Sequence, residues 1–266
     1  MKSADDEVER YIARLPPDAG FAAGFRAWGL GYRWFALLTI VAGNIAALLA
    51  GTIINVAIPD IMGAFGISQT EAQWLSTANL AAATVAMLAS SWMVRVLGLR
   101  QTVNLTTYLL LAGSLLGGLA TNTELMIIAR IMQGITAGVL TPVSTMLIFQ
   151  VFLPGRQGVA IGITSVGNIL APAIGPAIGG VLIDTFNWRY VFYAGVPFSV
   201  LTLTASFVFM PSRQPLATRV PFDWNGMIGL SVALTALLVG LSNGEKEGWG
   251  SDYILGCFAM ALVAGA

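Results

Sequence analysis

Long apolar stretches without a charged residue alternate along the chain with short segments that hold the charges. Seven of the apolar stretches exceed the ~20 residues that a helix needs to cross ~30 Å of hydrocarbon. Backbone N–H and C=O groups find no water in lipid, so each stretch predicts a membrane-spanning helix and the fold class is all-α. The predicted spans are 34–59, 72–94, 101–123, 131–155, 157–183, 190–212 and 224–244.

An eighth apolar stretch opens at Tyr253 and reaches Ala266 after 14 residues. This length is too short to cross a bilayer, so we expect an incomplete helix. The pattern therefore divides the chain into three parts. They are an N-terminal segment (1–33), a six-helix bundle (34–212) and a linker with one complete and one incomplete helix (213–266).

The N-terminal segment carries two apolar stripes at helical spacing, separated by Pro16 and Pro17, which would end the first helix. The stripes are Val8, Tyr11, Ile12 and Leu15, and then Phe21, Phe25, Trp28 and Tyr32. One interpretation is a helix lying on the cytoplasmic membrane face, with its apolar side in the lipid. The alternative is a loosely ordered tail, which the frequent glycines of this segment favour.

Composition strengthens the membrane interpretation. Hydrophobic residues make up 56% of the 266 residues and charged residues only 10%, against about 25% charged in a soluble domain. The mean hydropathy is +0.79. Such a chain cannot cover itself with a solvated surface, so lipid must cover most of it.

The distribution of charge predicts the orientation. If the N-terminus is cytoplasmic, the opposite side carries only Arg189 and Lys246, an arrangement that obeys the positive-inside rule. The predicted location is the inner (plasma) membrane. The cytoplasmic segments then hold Lys2, Arg10, Arg14, Arg26, Arg33, Arg95, Arg100, Arg156, Arg213 and Arg219.

Several function classes are disfavoured by what the chain contains. The net charge is zero, so no basic surplus suggests nucleic acid. The chain has no histidine, and its single cysteine, Cys257, is interpreted as a small apolar residue of a helix. The predicted spans hold no acid for acid–base catalysis. We therefore expect no enzyme activity, no cofactor and no metal.

We expect the helix of the fourth span to begin before residue 131, near Glu124, so that it carries a buried charge within a polar motif. It reads Arg130-Ile-Met-Gln133-Gly134, with Gly138 one turn later. An arginine inside a membrane is costly and usually faces a polar cavity, whereas the glycines allow a neighbouring helix to approach closely. The fifth span combines small residues with prolines, which remove backbone donors and kink a helix. Its motif residues are Gly167, Pro172, Gly175, Pro176, Gly179 and Gly180.

These two motifs resemble those of the major facilitator superfamily, and the Gly-Pro-x-x-Gly-Gly run resembles the signature of its exporters. Asn187-Trp-Arg-Tyr-Val-Phe192 is similar to the loop before the sixth helix in the fourteen-helix drug:proton antiporter branch. Two positions depart from the family pattern. Ala50 stands where the family usually has a first-helix aspartate, and Arg95 where an aspartate is common.

The resemblance implies a secondary transporter that exports amphipathic small molecules, of which this chain is the N-terminal part. Implied partners are membrane lipid, a C-terminal half outside this chain and, in envelopes with two membranes, a periplasmic adaptor protein. The alternative is a truncated membrane protein that does not transport. Because Ala50 leaves Arg130 without an acid, we expect Arg130 to contact anionic substrate and proton coupling to reside in the other half. The candidate pathway residues are Asn44, Asn55, Asn79, Arg130, Gln133 and Asn168.

Overall fold

The structure, a computed structural model, describes residues 2–15, 20–211 and 221–265. The regular elements of these residues are all helices, which confirms the all-α fold class. The chain divides into two compact units, Met1–Arg219 and Val220–Ala266, which are described separately. Pro16 and Pro17, predicted to end the first helix, and most of the predicted linker (212–220) lie outside the described residues.

Six long helices form the bundle of the first unit. Two short helices, α1 (Lys2–Ile12) and α2 (Ala22–Trp28), and a 3₁₀ turn at Gly29–Gly31 precede it. The bundle consists of α3 (Tyr32–Phe65), α4 (Gln69–Leu97), α5 (Leu99–Gly118), α6 (Thr123–Val151), α7 (Pro154–Thr185) and α8 (Val196–Phe209), with a 3₁₀ turn at Trp188–Tyr193 before α8.

Six helical segments are long and apolar enough to cross a membrane, among the residues that the structure describes. They are Ala22–Phe65, Gln69–Leu97, Thr123–Val151, Pro154–Thr185, Trp188–Phe209 and Trp224–Leu241. The third predicted span, which forms α5, is not one of them, although α5 has 20 residues. Arg100, Gln101 and Asn104 lower its hydropathy most. Its threonines lower it slightly, and their hydroxyls are satisfied locally. Thr106 and Thr107, for example, donate to the carbonyls of Thr102 and Val103 at 2.9 and 2.7 Å.

Local signals in the sequence fix several helix ends. Gly66 ends α3 with a φ of +65°, a conformation that glycine adopts without strain. Ser68 and Glu71 form a capping box at the start of α4, and the Asn122 side chain accepts a hydrogen bond from the Leu125 N–H at the start of α6. These caps satisfy backbone donors that a helix start otherwise leaves free.

The bundle is built from two three-helix repeats of opposite direction. Helix α3 packs mainly against α7, α8 and α6, and α6 packs mainly against α4, α5 and α3. The two repeats, α3–α5 and α6–α8, make equivalent contacts. The α3–α7 contact corresponds to the α6–α4 contact, and the α3–α8 contact corresponds to the α6–α5 contact. The chain therefore shows the inverted-repeat packing of many secondary transporters, with α3 and α6 at the centre.

Two hydrophobic clusters lie at opposite ends of the bundle. We call the end where α3 begins the proximal face and the other end the distal face. The proximal cluster includes Leu37, Val143 and Phe152, and the distal cluster includes Ile61, Met126 and Trp188. A small group of alanines with Leu110 fills the centre, so α3, α5 and α6 approach one another closely between the two faces.

The second unit is a pair of packed helices, α9 (Trp224–Glu247) and α10 (Asp252–Gly265). Small residues of α9 allow the contact. A Cβ atom added at Gly229 would lie 2.8 Å from the carbonyl oxygen of Ala264, and one added at Gly240 would lie 3.0 Å from the ring of Phe258. The predicted incomplete helix is thus α10, which has 14 residues.

Candidate functional site

Arg130 of α6 lies at the junction of three helices and is 1% exposed. Its Nε atom donates to the carbonyl oxygen of Leu75 in α4 at 3.1 Å, and its Nη2 atom to that of Gly51 in α3 at 3.1 Å. Its Nη1 atom donates to the Ala50 carbonyl and to Gln133 Oε1, each at 2.7 Å. Four neutral oxygens therefore surround the buried guanidinium.

The small residues of α6 and α3 make this arrangement possible. A Cβ atom at Gly134 would overlap the backbone carbonyl of Asn79, and one at Gly138 would overlap that of Ala83, so only glycine lets α4 approach α6 this closely. Ala50 is 2% exposed and packs with Leu110. Its side chain lies in an apolar cluster, and its backbone carbonyl accepts a hydrogen bond from Arg130. At the position where an aspartate was expected, the backbone and not a side chain therefore contacts the arginine.

Gln133 connects the arginine to α5. Its Oε1 atom accepts from Arg130, and its Nε2 atom donates to Ser114 Oγ at 3.3 Å. One turn further along α6, Thr136 Oγ1 donates to the carbonyl oxygen of Thr106 at 2.7 Å. Gln133 is 1% exposed, so in this conformation both members of the Arg130–Gln133 pair fasten helices and neither reaches an open surface.

A polar seam runs along the contact of α3 and α4 beside Arg130. Asn79 Nδ2 donates to the Arg130 carbonyl at 3.0 Å, and Asn79 is 9% exposed. One turn nearer the distal face, Ser76 Oγ donates to Asn55 Oδ1 at 2.9 Å, and Asn55 is exposed. Asn55, Ser76 and Asn79 therefore place uncharged polar groups at or near the surface of the bundle.

Asn44 and Asn168 form a second polar level, nearer the proximal face. A Cβ atom at Gly167 of α7 would lie 3.1 Å from Val41 and 3.7 Å from Ile45 of α3, which places Asn168 at the level of Asn44. Asn44 is 0% exposed, and neither of its amide atoms has a hydrogen-bond partner among the described residues. Asn168 Oδ1 is likewise buried and unpartnered there.

The motif of the fifth span divides into two faces. Gly167, Gly175 and Gly179 face α3, where a Cβ atom at Gly175 would lie 2.8 Å from Thr52 Oγ1 and one at Gly179 2.9 Å from Ile53 Cγ1. Nothing lies within 4 Å of a Cβ atom at Gly180. Pro172 is half-buried and Pro176 is exposed. The face with Gly167, Gly175 and Gly179 permits close packing of α3 on α7. The face with Pro176 and Gly180 is not covered by another helix of the bundle.

Reasoning from the sequence alone did not find every member of this site. It singled out polar side chains inside the spans but not Ser76 and Ser114, because serines are frequent in helices and carry no pattern of their own. The carbonyls of Ala50, Gly51 and Leu75 have no signal in a sequence at all. Asn104 of α5, a further polar side chain within the spans, lies apart from the seam and accepts a hydrogen bond from Ser206 of α8.

Comparison with known proteins decides the family. A family model described as the Major Facilitator Superfamily matches residues 40–266. The chain belongs to this superfamily. The predicted family is thereby confirmed, and residues 1–39 lie outside the match. The described residues contain six helices that are long and apolar enough to cross a membrane, and this member of the superfamily is a multi-pass membrane protein.

Curated relatives within the superfamily include proteins named for drug export. The multidrug transporter protein MdtP of Bacillus subtilis is 32% identical, over 84% of this chain and 42% of its own length. The multidrug export protein EmrB of Haemophilus influenzae is 29% identical, over 85% of this chain and 44% of its own length. The uncharacterised transporter YhcA of Bacillus subtilis is 31% identical, over 86% of this chain and 43% of its own length. The chain thus spans less than half the length of these relatives.

Solved structures of two transporters share the fold. A peptide transporter of the POT family in complex with sulfate aligns with a TM-score of 0.62 at 13% identity, over 93% of this chain and 52% of its own. The proton:xylose symporter XylE aligns with a TM-score of 0.60 at 16% identity, over 88% of this chain and 51% of its own. Both alignments cover about half the length of the solved chain.

Proposed function

We propose that this chain is the N-terminal half of a secondary transporter that exports amphipathic small molecules. The relatives named as multidrug exporters support the reaction class, and their length supports a partner half beyond this stretch of sequence. The basic residues favour a cytoplasmic N-terminus in an inner (plasma) membrane. In a two-membrane envelope, the resemblance to drug exporters adds a periplasmic adaptor as a second proposed partner.

The observation that carries the proposal is the set of uncharged amides on α3, α4 and α7. Asn44 and Asn168 keep hydrogen-bonding capacity that no described residue uses, and Asn55 is exposed at the polar seam. Unpaired amides inside an apolar bundle are costly and are retained where a ligand or water can pair with them. They can bind a polar group of a substrate without requiring that it be charged.

Arg130 and Gln133 are assigned a positioning role in this proposal. Their polar atoms bind neighbouring helices, and both side chains are 1% exposed. They hold α3 and α4 in the register that sets the seam beside Asn79. Every acid of the described spans lies near a helix end, so we place any proton-coupling carboxylate in the partner half.

The surface left open on the bundle supports a partner half. In the most apolar 18 residues of α4 and α7, only 11% and 17% are buried, against 72% in the span that contains α3 and 56% in α6. Helices α4 and α7 belong to equivalent positions of the two repeats. A second bundle of the same kind would cover both with one symmetric interface.

Transport by purified protein tests the function. We expect vesicles containing the full-length protein to accumulate cationic and neutral dyes, and vesicles containing Met1–Ala266 alone to behave as empty vesicles. Asn55→Ala should reduce transport several-fold, whereas Thr77→Ala, at an exposed position of α4, should not. Absence of transport by the full-length protein would refute the function. Equal transport by the two variants would refute only the assignment of Asn55.

A further inference from the structure

The N-terminal segment packs against the bundle instead of extending away from it. We call residues 2–15 and 20–32 the N-terminal cap; its last residue, Tyr32, is also the first residue of α3, and the cap precedes the stretch that the family model matches. Tyr11, Phe21 and Phe25 are 8%, 1% and 0% exposed and belong to the proximal cluster together with residues of α3 and α6. The apolar stripes predicted from the sequence therefore face protein, and of the second stripe only Trp28 is exposed, at 50%.

Two tyrosines of the cap bind the ends of two bundle helices. Tyr11 OH donates to the carbonyl oxygen of Val151, the last residue of α6, at 3.0 Å. Tyr32 OH donates to the carbonyl oxygen of Phe209, the last residue of α8, at 2.6 Å. The last carbonyls of a helix have no partner within the helix, so each tyrosine satisfies a group that would otherwise need water.

An aromatic cage closes around Arg33, next to the cap. Its Cζ atom lies 5.4 Å from the ring centre of Tyr11 and 5.9 Å from those of Trp34 and Phe152. Arg33 is 6% exposed, and its Nε atom has no hydrogen-bond partner among the described residues. The rings belong to α1, to α3 and to the residue after α6, so this one cation contacts all three at the proximal face.

An ion pair closes the cap on its outer side. Arg26 of α2 donates to the Glu9 carboxylate of α1 through Nε at 2.7 Å and through Nη2 at 3.3 Å. The hydrogen bond from Arg26 lowers the pKa of the Glu9 carboxyl. The pair is more than half exposed, so it is screened and contributes little compared with the buried tyrosines.

We propose that the N-terminal cap is a clamp that fixes the proximal ends of α3, α6 and α8 to one another. The Tyr11 hydrogen bond joins α1 to α6, and the Tyr32 hydrogen bond joins the start of α3 to α8. The Arg33 cage connects both α1 and α6 to α3. A helix that floats on the membrane surface would present its aromatic stripe to lipid. Here the stripe is buried in protein. The clamp leaves the open faces of α4 and α7 free while it keeps the inner helices from separating.

Hydrogen–deuterium exchange of Met1–Ala266 in lipid nanodiscs tests the clamp. Tyr11→Phe removes one hydroxyl and keeps the ring, so the last turn of α6 (residues 148–152) should exchange roughly fivefold faster, the loss expected for one hydrogen bond. The last turn of α8 (residues 206–210) should remain unchanged. Tyr32→Phe should produce the reverse pattern, and Arg33→Gln should accelerate exchange in α1 and at the end of α6.

Glu9→Gln is the matched control, because it breaks an exposed contact within the cap and should leave both helix ends as protected as before. The proposal is overturned if Tyr11→Phe leaves residues 148–152 unchanged. It is equally overturned if either tyrosine variant accelerates both helix ends alike, since that result would indicate a general loss of stability and not a local clamp.

Discussion

At the scale of single residues, Arg130 is a buried charge whose partners are all neutral oxygens. The sequence predicts the costly arginine and the lack of a first-helix acid, and from these a contact with anionic substrate. The geometry leads to a different expectation, because each of the three guanidinium nitrogens already donates to a protein oxygen and the side chain is closed off from the surface.

We predict that Arg130→Ala lowers the free energy of unfolding by about 3 kcal/mol. Four hydrogen bonds of a charged donor are lost, each worth roughly 1.5–3 kcal/mol, and relief of the desolvation cost of the buried charge offsets part of that loss. Export of anionic and cationic dyes by the full-length protein should fall together. Arg130→Lys should lose most of the same stability, because one ammonium cannot reach oxygens on α3, α4 and α6 at once. A selective loss of anionic dyes would instead identify Arg130 as a substrate contact.

For Asn44 we predict that substitution raises the stability of the bundle, the opposite of the effect expected at Arg130. A buried unpaired amide costs roughly 1–3 kcal/mol, so Asn44→Leu, which is close in volume, should raise the melting temperature of the purified chain. The same change should reduce export by the full-length protein if Asn44 binds substrate.

Asn104→Leu is the control, because Asn104 accepts a hydrogen bond from Ser206, and its replacement should lower the melting temperature. A lower melting temperature for Asn44→Leu would show that Asn44 already has a partner within the bundle.

At the scale of helices, glycines determine which helix pairs approach closely. A side chain added at one glycine would collide with a neighbouring helix, whereas one added at another would meet open space. Gly179 meets Ile53 of α3, whereas the adjacent Gly180 meets nothing within 4 Å. Gly195 is as restricted as Gly179, because a Cβ atom there would lie 2.9 Å from the carbonyl oxygen of Ala46.

We therefore predict that Gly179→Leu destabilises the bundle by roughly 1–3 kcal/mol through overpacking, while Gly180→Leu has little effect. Thermal unfolding of the two purified variants measures the difference. Gly195→Leu should resemble Gly179→Leu. Equal melting temperatures for Gly179→Leu and Gly180→Leu would refute the close packing of α3 on α7.

The same scale shows what the sequence could and could not predict. Runs without charges located every bundle helix, including α5, because lipid excludes charge regardless of packing. The contacts of Arg189 could not be predicted from the sequence. Its Nη1 atom donates to the carbonyls of Gly118 and Ala120 at 3.2 and 2.6 Å, which ends α5 at the distal face. Contacts of this kind join residues 69 or more positions apart, and periodicity carries no information about them.

The N-terminal segment illustrates the same limit. The spacing of Tyr11, Phe21 and Phe25 predicts apolar stripes, but a stripe has the same pattern whether it covers lipid or protein. The folded bundle decides between the two, because the carbonyls of Val151 and Phe209 at the helix ends accept from Tyr11 and Tyr32 and the proximal cluster is apolar.

At the scale of the whole molecule, orientation follows from the basic residues and can be measured directly. With Cys257→Ser as background, we predict that an impermeant thiol reagent labels Thr121→Cys in intact cells and does not label Gly155→Cys. Thr121 is exposed in the loop between α5 and α6 at the distal face, and Gly155 is exposed at the proximal start of α7. The reverse labelling would place the N-terminus outside.

The clamp at the proximal face also dictates an order of assembly. Tyr11 and Val151 are 140 residues apart, and Tyr32 and Phe209 are 177 apart. Although the N-terminal cap is the first part of the chain to be synthesised, its two hydroxyls have no acceptors until α6 and α8 have been inserted. Contacts of such long sequence separation form late, because the intervening chain must first be ordered. Docking of the cap therefore follows insertion of α8 and marks the completion of the six-helix bundle, and under the proposed orientation it takes place on the cytoplasmic side.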